Sequence, residues 1–98
     1  MSALNKVVSS GLLSASGVIS NVPCGLAGTS CFTNGTNAGT LTIYDNATAA
    51  SGTVLAQLAV PAANLGAQIM FPTNIKAVNG VYASLSGTGA SFIVVTEP

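Results

Sequence analysis

The sequence predicts an all-β antiparallel fold, a sandwich or barrel of about six to eight short strands. Three observations predict it. Charged and long-chain helix formers are scarce, while Thr, Ser, Gly, Asn and Val dominate. Apolar and polar residues alternate in short runs, the period of a strand. Between the runs lie clusters of Asn, Gly, Asp and Pro, the residues that tight turns select.

The elements follow in order. Residues 1–20 are less regular and contain a short strand at Gly17 to Ser20. The stretch is expected either as an arm that orders on a partner or as an edge strand. Leu26 to Thr33 is a weakly patterned strand, interrupted by Gly28. Asn34-Gly35 and Asn37-Ala38-Gly39 then supply turn residues. Thr40 to Tyr44 alternates well, with Leu41 and Ile43 on one face and Thr40, Thr42 and Tyr44 on the other. Asp45 to Gly52 is a small polar loop. The next run, Thr53 to Val60, sets Val54, Ala56, Leu58 and Val60 against Leu55 and Ala59.

A loop at Pro61 to Gly66 has room for one helical turn, because alanines sit inside it. Ala67 to Phe71 is the following strand, and Pro72 is expected to end its pairing. Asn79-Gly80 is a two-residue turn signal, followed by Val81 to Ser86 with Val81, Ala83 and Leu85 inward and Tyr82 outward. The spacing of Gly87-Thr88-Gly89 suits a hairpin into the last strand, Ala90 to Thr96. There Phe92 and Val94 share one face, Ile93 and Val95 the other. Strands apolar on both faces mean either a sandwich whose outer face is covered or core strands flanked by long loops.

The chain has 98 residues, enough for a single domain (residues 1–98) and too few for two independent cores. Only 4% of them are charged, against about 25% in typical soluble domains, while 49% are hydrophobic. A chain so apolar folds, but its near-neutral surface lacks the charge that keeps proteins apart. Membership of a permanent assembly accounts for both properties. Two cations cannot neutralise a phosphate backbone, so nucleic acid is not an expected partner. No run approaches the roughly 18–20 apolar residues of a transmembrane helix, and no membrane role is expected. The first twenty residues also lack a continuous apolar signal-peptide segment; a mature secreted protein stays open.

Catalytic chemistry finds few residues to use. There is no histidine, so neither a Ser-His-Asp nor a Cys-His arrangement can form. The carboxylates are Asp45, in a turn-like context, and Glu97, next to the last residue. Two cysteines without histidine cannot complete a zinc site within one chain. No phosphate-binding glycine loop is present. The expectation is a protein that is not an enzyme, with no catalytic residue, metal, cofactor or small-molecule substrate. Cys24 and Cys31 bracket a small flexible-looking segment. Either they form a disulfide, worth about 2–3 kcal/mol on the chain-entropy picture, or they are buried thiols acting as small hydrophobes.

The runs LTIYDNATAASGTVLAQLAVPA (Leu41–Ala62) and IMFPTNIKAVNGVYASLSGTGASFIVV (Ile69–Val95) resemble small virion proteins of tailed bacteriophages, capsid decoration or cement proteins among them. The shared features are turns and strand cores, so they identify a scaffold and no activity. The resemblance implies a β-sandwich or jelly-roll-like fold and an oligomer, commonly a trimer. It further implies binding to the major capsid protein on the outer capsid surface of the virion, after synthesis in the host cytoplasm. Cys24 and Cys31 lie outside it. Candidate interface residues are Tyr44, Tyr82, Ile93 and Val95, with Val7, Val8, Leu12 and Leu13 from the N-terminal segment. The alternatives are a tail, baseplate or head-fibre component, or a carbohydrate- or receptor-binding β-sandwich. The absence of Trp and the single Asp count against the last.

Overall fold

The computed structural model describes residues 7–98. Eight strands form in chain order: β1 (Val8–Ser9), β2 (Gly17–Ser20), β3 (Cys24–Phe32), β4 (Gly39–Tyr44), β5 (Val54–Val60), β6 (Gly66–Ala77), β7 (Val81–Ser86) and β8 (Ser91–Glu97). They build two four-stranded sheets, one ordered β1-β8-β3-β6 and the other β2-β7-β4-β5. Every neighbouring pair is antiparallel. No helix occurs among the described residues. The expected β-sandwich is present, and its sheets do not close into a barrel. The pairs nest: β4 with β5, β3 with β6, β2 with β7 and β1 with β8. An antiparallel ribbon rolled over itself has this wiring, that of the eight-stranded jelly roll.

The alternation read from the sequence places the core. From the first sheet Leu26, Cys31, Phe92 and Val94 point inward; from the second come Leu41, Ile43, Leu58, Val60, Val81 and Ala83. Phe92 is the largest fully buried side chain. Thr29 lies among them, and its hydroxyl donates to the Ile93 carbonyl at 3.0 Å, so the buried oxygen is satisfied.

Several expectations change in the structure. Pro72 does not end a strand: β6 runs on to Ala77. Leu26 pairs with Ile75 and Gly28 with Met70, so Phe71–Asn74 stand opposite Ala27 in a bulge. A proline in a bulge of an edge strand removes no ladder bond, which is why the pairing survives it. Gly87-Thr88-Gly89 is not a hairpin turn. It carries the chain from β7 in one sheet to β8 in the other. Asn79-Gly80 likewise lies in the crossing from β6 to β7. Gly87 has φ +119, and a Cβ there would run into the Ala38 carbonyl. The Pro61 to Gly66 loop holds a single turn, closed by the Asn64 N–H on the Pro61 carbonyl at 3.0 Å, and no helix.

Of the two readings for the N-terminal stretch, the described part takes the edge strand. Val8 pairs with Thr96 and Ser9 with Val95; Leu13 pairs with Phe92 through bonds of 2.9 and 2.8 Å. The one-residue change of register between these contacts falls near Gly11, whose φ of +76 suits a bulge. Residues 1–6 of the expected arm lie outside the described residues.

Gly87→Ala is expected to destabilise the fold by about 3 kcal/mol, because strain at positive φ adds to a backbone clash. Gly17 is the control, since its φ is not positive and an added methyl group would meet nothing within 4 Å. Gly17→Ala should leave the urea midpoint unchanged or raise it by about 0.5 kcal/mol equivalent.

Candidate docking surfaces

Cross-strand partners share a face, so the registers fix what each sheet shows to its outer side. On the second sheet Val18 opposes Tyr82, Tyr82 opposes Tyr44, and Tyr44 opposes Val54. These side chains form one apolar and aromatic rank across all four strands, about 14 Å wide at ordinary strand spacing. Beside it runs a polar rank, Ser84, Thr42 and Gln57. The Gln57 amide Nε2 donates to Thr42 Oγ1 at 2.9 Å, which satisfies a largely buried hydroxyl.

The outer face of the first sheet has a different build. Ile93 and Val95 of β8 flank Ser30 and Gly28 of β3, and Gln68 and Met70 of β6 flank them from the other side. The β3 residues are small, and large neighbours lie over the glycines. A Cβ on Gly28 would fall 2.5 Å from the Met70 sulfur, and one on Gly66 would fall 2.9 Å from the Phe32 ring. A backbone carbonyl also stands close at both positions, that of Ile69 at 2.9 Å and that of Cys31 at 3.0 Å, so a side-chain shift alone cannot make room for a Cβ. Phe32 also lines a shallow recess with Leu12, Ser91 and Ile93, and a second with Leu65, Gly66, Ala67 and Gln68. The apolar surface is therefore continuous around Phe32.

The expected interface residues divide. Ile93 and Val95 lie on the outer face of the first sheet, Tyr44 and Tyr82 on that of the second, all four half-buried. Val7, Val8 and Leu12 are exposed, Leu12 the most at 65%. Leu13 is a correction: its backbone pairs with Phe92 and its side chain packs against the core. It is structural. The sequence pattern did not single out Val18, Val54, Phe32, Leu65 or Met70. Val18 and Val54 become visible only when register aligns them with the tyrosines. Leu65 and Met70 are exposed, at 71% and 62%.

The two cysteines also need correction as a disulfide pair. The segment between them is not a loop but strand β3. Seven residues of strand hold the two sulfurs about 20 Å apart, beyond any bridge. Both are free thiols; Cys31 is fully buried, and Cys24 packs at the margin of the core. Burial pushes the Cys31 thiol up from its ordinary pKa, so it stays protonated and unreactive at neutral pH.

Among the described residues the charges sit away from the apolar ranks. Asp45 Oδ1 accepts the Asn79 N–H at 2.8 Å and Oδ2 the Val78 N–H at 3.2 Å. This carboxylate ties the end of β4 to the crossing between β6 and β7. The side chain that turns the β4–β5 loop is its neighbour Asn46, whose Oδ1 accepts the Thr48 and Ala49 N–H groups. Glu97 accepts from the Asn74 amide and, with Lys76, flanks Gly25 at one end of the first sheet. Among the described residues no three His, Cys, Asp or Glu groups cluster as metal ligands. No helix is long and apolar enough to cross a membrane among the residues described. Compared with known protein families, characterised proteins and solved structures, the chain matches none.

Two outcomes follow from this placement. Native protein should show both thiols by mass after alkylation in denaturant, with Cys31 labelled only on unfolding and a melting temperature indifferent to reductant. Asp45→Ala should cost about 1–2 kcal/mol in a denaturant titration, the worth of two charge-assisted bonds at a partly exposed site.

Proposed function

We propose that this protein is a structural subunit of a tailed-phage virion, a capsid decoration protein that binds the major capsid protein on the outside of the head. The observation that carries the proposal is the pair of apolar outer faces on opposite sides of one thin sandwich. A lone sandwich exposes polar outer faces; here each side has an apolar rank free of charge. A subunit that bridges neighbouring capsomers needs contact surfaces pointing in different directions, and this build supplies them.

The residues behind the family resemblance occupy ordinary scaffold positions. YDNATAASGTVL covers the end of β4, its loop and the start of β5, and NGVYASLSGTGA covers β7 with its two crossings. They support a shared architecture. The chemistry of a shell protein also suits the composition. Many copies on a symmetric lattice supply avidity, so each apolar contact can be small. Copies of the chain meeting as a trimer, as the resemblance implies, would use one face and leave the other for the shell. A carbohydrate-binding sandwich has less support, since the single Asp is committed to the Val78 and Asn79 backbone.

Electron cryo-microscopy of the intact particle tests the proposal: density for this chain is expected on the outer head surface, and density confined to the tail would refute it. Leu12→Lys and Val54→Lys place a charge on each face at exposed positions. Surface changes of this kind cost within about 0.5 kcal/mol of stability. One of them at least is expected to reduce co-sedimentation with empty shells tenfold or more. Binding by both variants as strong as that of the native chain would remove the apolar faces from the contact.

A further inference from the structure

The sandwich has four strands at sheet edges: β1, β6, β2 and β5. An open edge presents unpaired N–H and C=O groups to any strand that fits, and proteins usually blunt it. β1 is two residues long. β2 has four, with a shift of register inside it. β6 is broken by the bulge at Pro72 and carries Lys76. Only β5 lacks such a device along most of its length. Its sequence, Val54-Leu55-Ala56-Gln57-Leu58-Ala59-Val60, contains no charge, no Pro and no Gly. A shift of register near Leu55 affects one end of the strand, and Ala56–Val60 is regular. β5 pairs with β4 alone, and no backbone bond among the described residues reaches its other side.

The same strand is close to a palindrome in side-chain size. Laid antiparallel against a second copy about Gln57, it sets Val54 against Val60, Leu55 against Ala59 and Ala56 against Leu58. Each leucine then meets an alanine, and Gln57 meets its own copy, whose amide both donates and accepts. A two-fold contact requires this self-complementarity, because residue i must meet j while j meets i. Faces agree over Ala56–Leu58, whereas the shift of register puts Val54 on the outer side with Tyr44 and packs Leu55 against the core. Ala56 and Leu58 share the inner side with Ile43 and Leu41, while Gln57 shares the outer side with Thr42. A centre at Leu58 would instead bring Pro61 against Leu55 and stop the ladder early.

We infer that the free edge of β5 is a homotypic contact: two copies of this chain pair antiparallel through Ala56–Leu58 about a two-fold axis at Gln57, joining their four-stranded sheets into one. The in-register seam is about 10 Å long, because the bulge of each copy falls at one of its two ends. It buries less than the roughly 1,200 Å² of a stable interface, so the free chain associates weakly and only at high concentration. The inference does not rest on the decoration reading; where trimers form, the seam joins one trimer to the next.

Cysteine cross-linking tests both the contact and its register. Gln57→Cys is expected to give a covalent dimer under mild oxidation, because the two substituted residues lie directly opposite. Ala59→Cys should not, since its two copies sit about 13 Å apart along the seam. The native chain, with Cys24 at the core margin and Cys31 buried, is the blank. Gln57→Lys sets two like charges face to face and should halve the weight-average mass that the native chain reaches in sedimentation equilibrium. A thermal melt confirms that each variant is folded. Equal cross-linking of the Gln57→Cys and Ala59→Cys variants would overturn the seam. So would a native chain that stays unassociated at millimolar concentration, which would leave β5 to a strand of another protein.

Discussion

The rest of the structure depends on an apolar layer one side chain deep, between Leu26, Phe92 and Val94 on one sheet and Leu41, Ile43 and Val81 on the other. The wiring makes the dependence strong. Only the connection from β4 to β5 stays within a sheet; every other one crosses from sheet to sheet. Most strands therefore have hydrogen-bonding neighbours remote in sequence, as when β8 slots between β1 and β3. Such pairings bear a loop-closure cost before any local contact offsets it. Burial of the layer offsets it, because apolar area leaves water only when both sheets are in place. Sheets and core form together or not at all.

The local pattern of this fold was legible in the chain, and its long-range wiring was not. Alternation located Thr40–Tyr44, Val81–Ser86 and the final strand within a residue or so, because period 2 is a property of neighbours. Turn residues were also found in the right places. Whether a turn folds a hairpin or crosses between sheets is decided by partners far away, and Gly87-Thr88-Gly89 looks alike in either setting. Cys24–Phe32 was legible as a strand only weakly, for another reason. Its glycines, serine and threonine blur the strand pattern, yet this is one of the two inner strands of its sheet. Small residues are needed there because Met70 lies over Gly28 and Asn74 over Gly25. The packing of a partner strand is invisible in the segment it covers. The same blindness hid half of the aromatic rank: both tyrosines were legible as outward residues, whereas Val18 and Val54 join them through register alone.

Charge placement links the fold to its surface. Asp45 holds a crossing in place, and Lys76 and Glu97 flank Gly25 at one end of a sheet. None of these falls in the rank of Val18, Tyr82, Tyr44 and Val54, or beside Phe32 and Ile93. With so few ions in the chain, the usual long-range repulsion between copies is absent. Shape and desolvation are left to choose the partners. Apolar contact of this kind is only slightly sensitive to salt, unlike docking guided by charged patches.

The two outer faces are also chemically distinct, which constrains any assembly they build. One has hydroxyls and an amide beside its aromatic rank; the other has a glycine-floored strip roofed by Met70 and Phe32. A surface of the first kind can satisfy a partner's polar backbone, whereas the second accepts mainly apolar shapes. Stacking of copies with one face against the other is therefore heterologous. Heterologous contacts close into rings or run on as open arrays, depending on the rotation between copies. The β5 edge is of the other type, self-complementary and limited to two copies. A chain with one closing edge and two unlike faces has the contact types needed to tile a curved surface, and the charges of the described residues lie outside both apolar ranks and the edge.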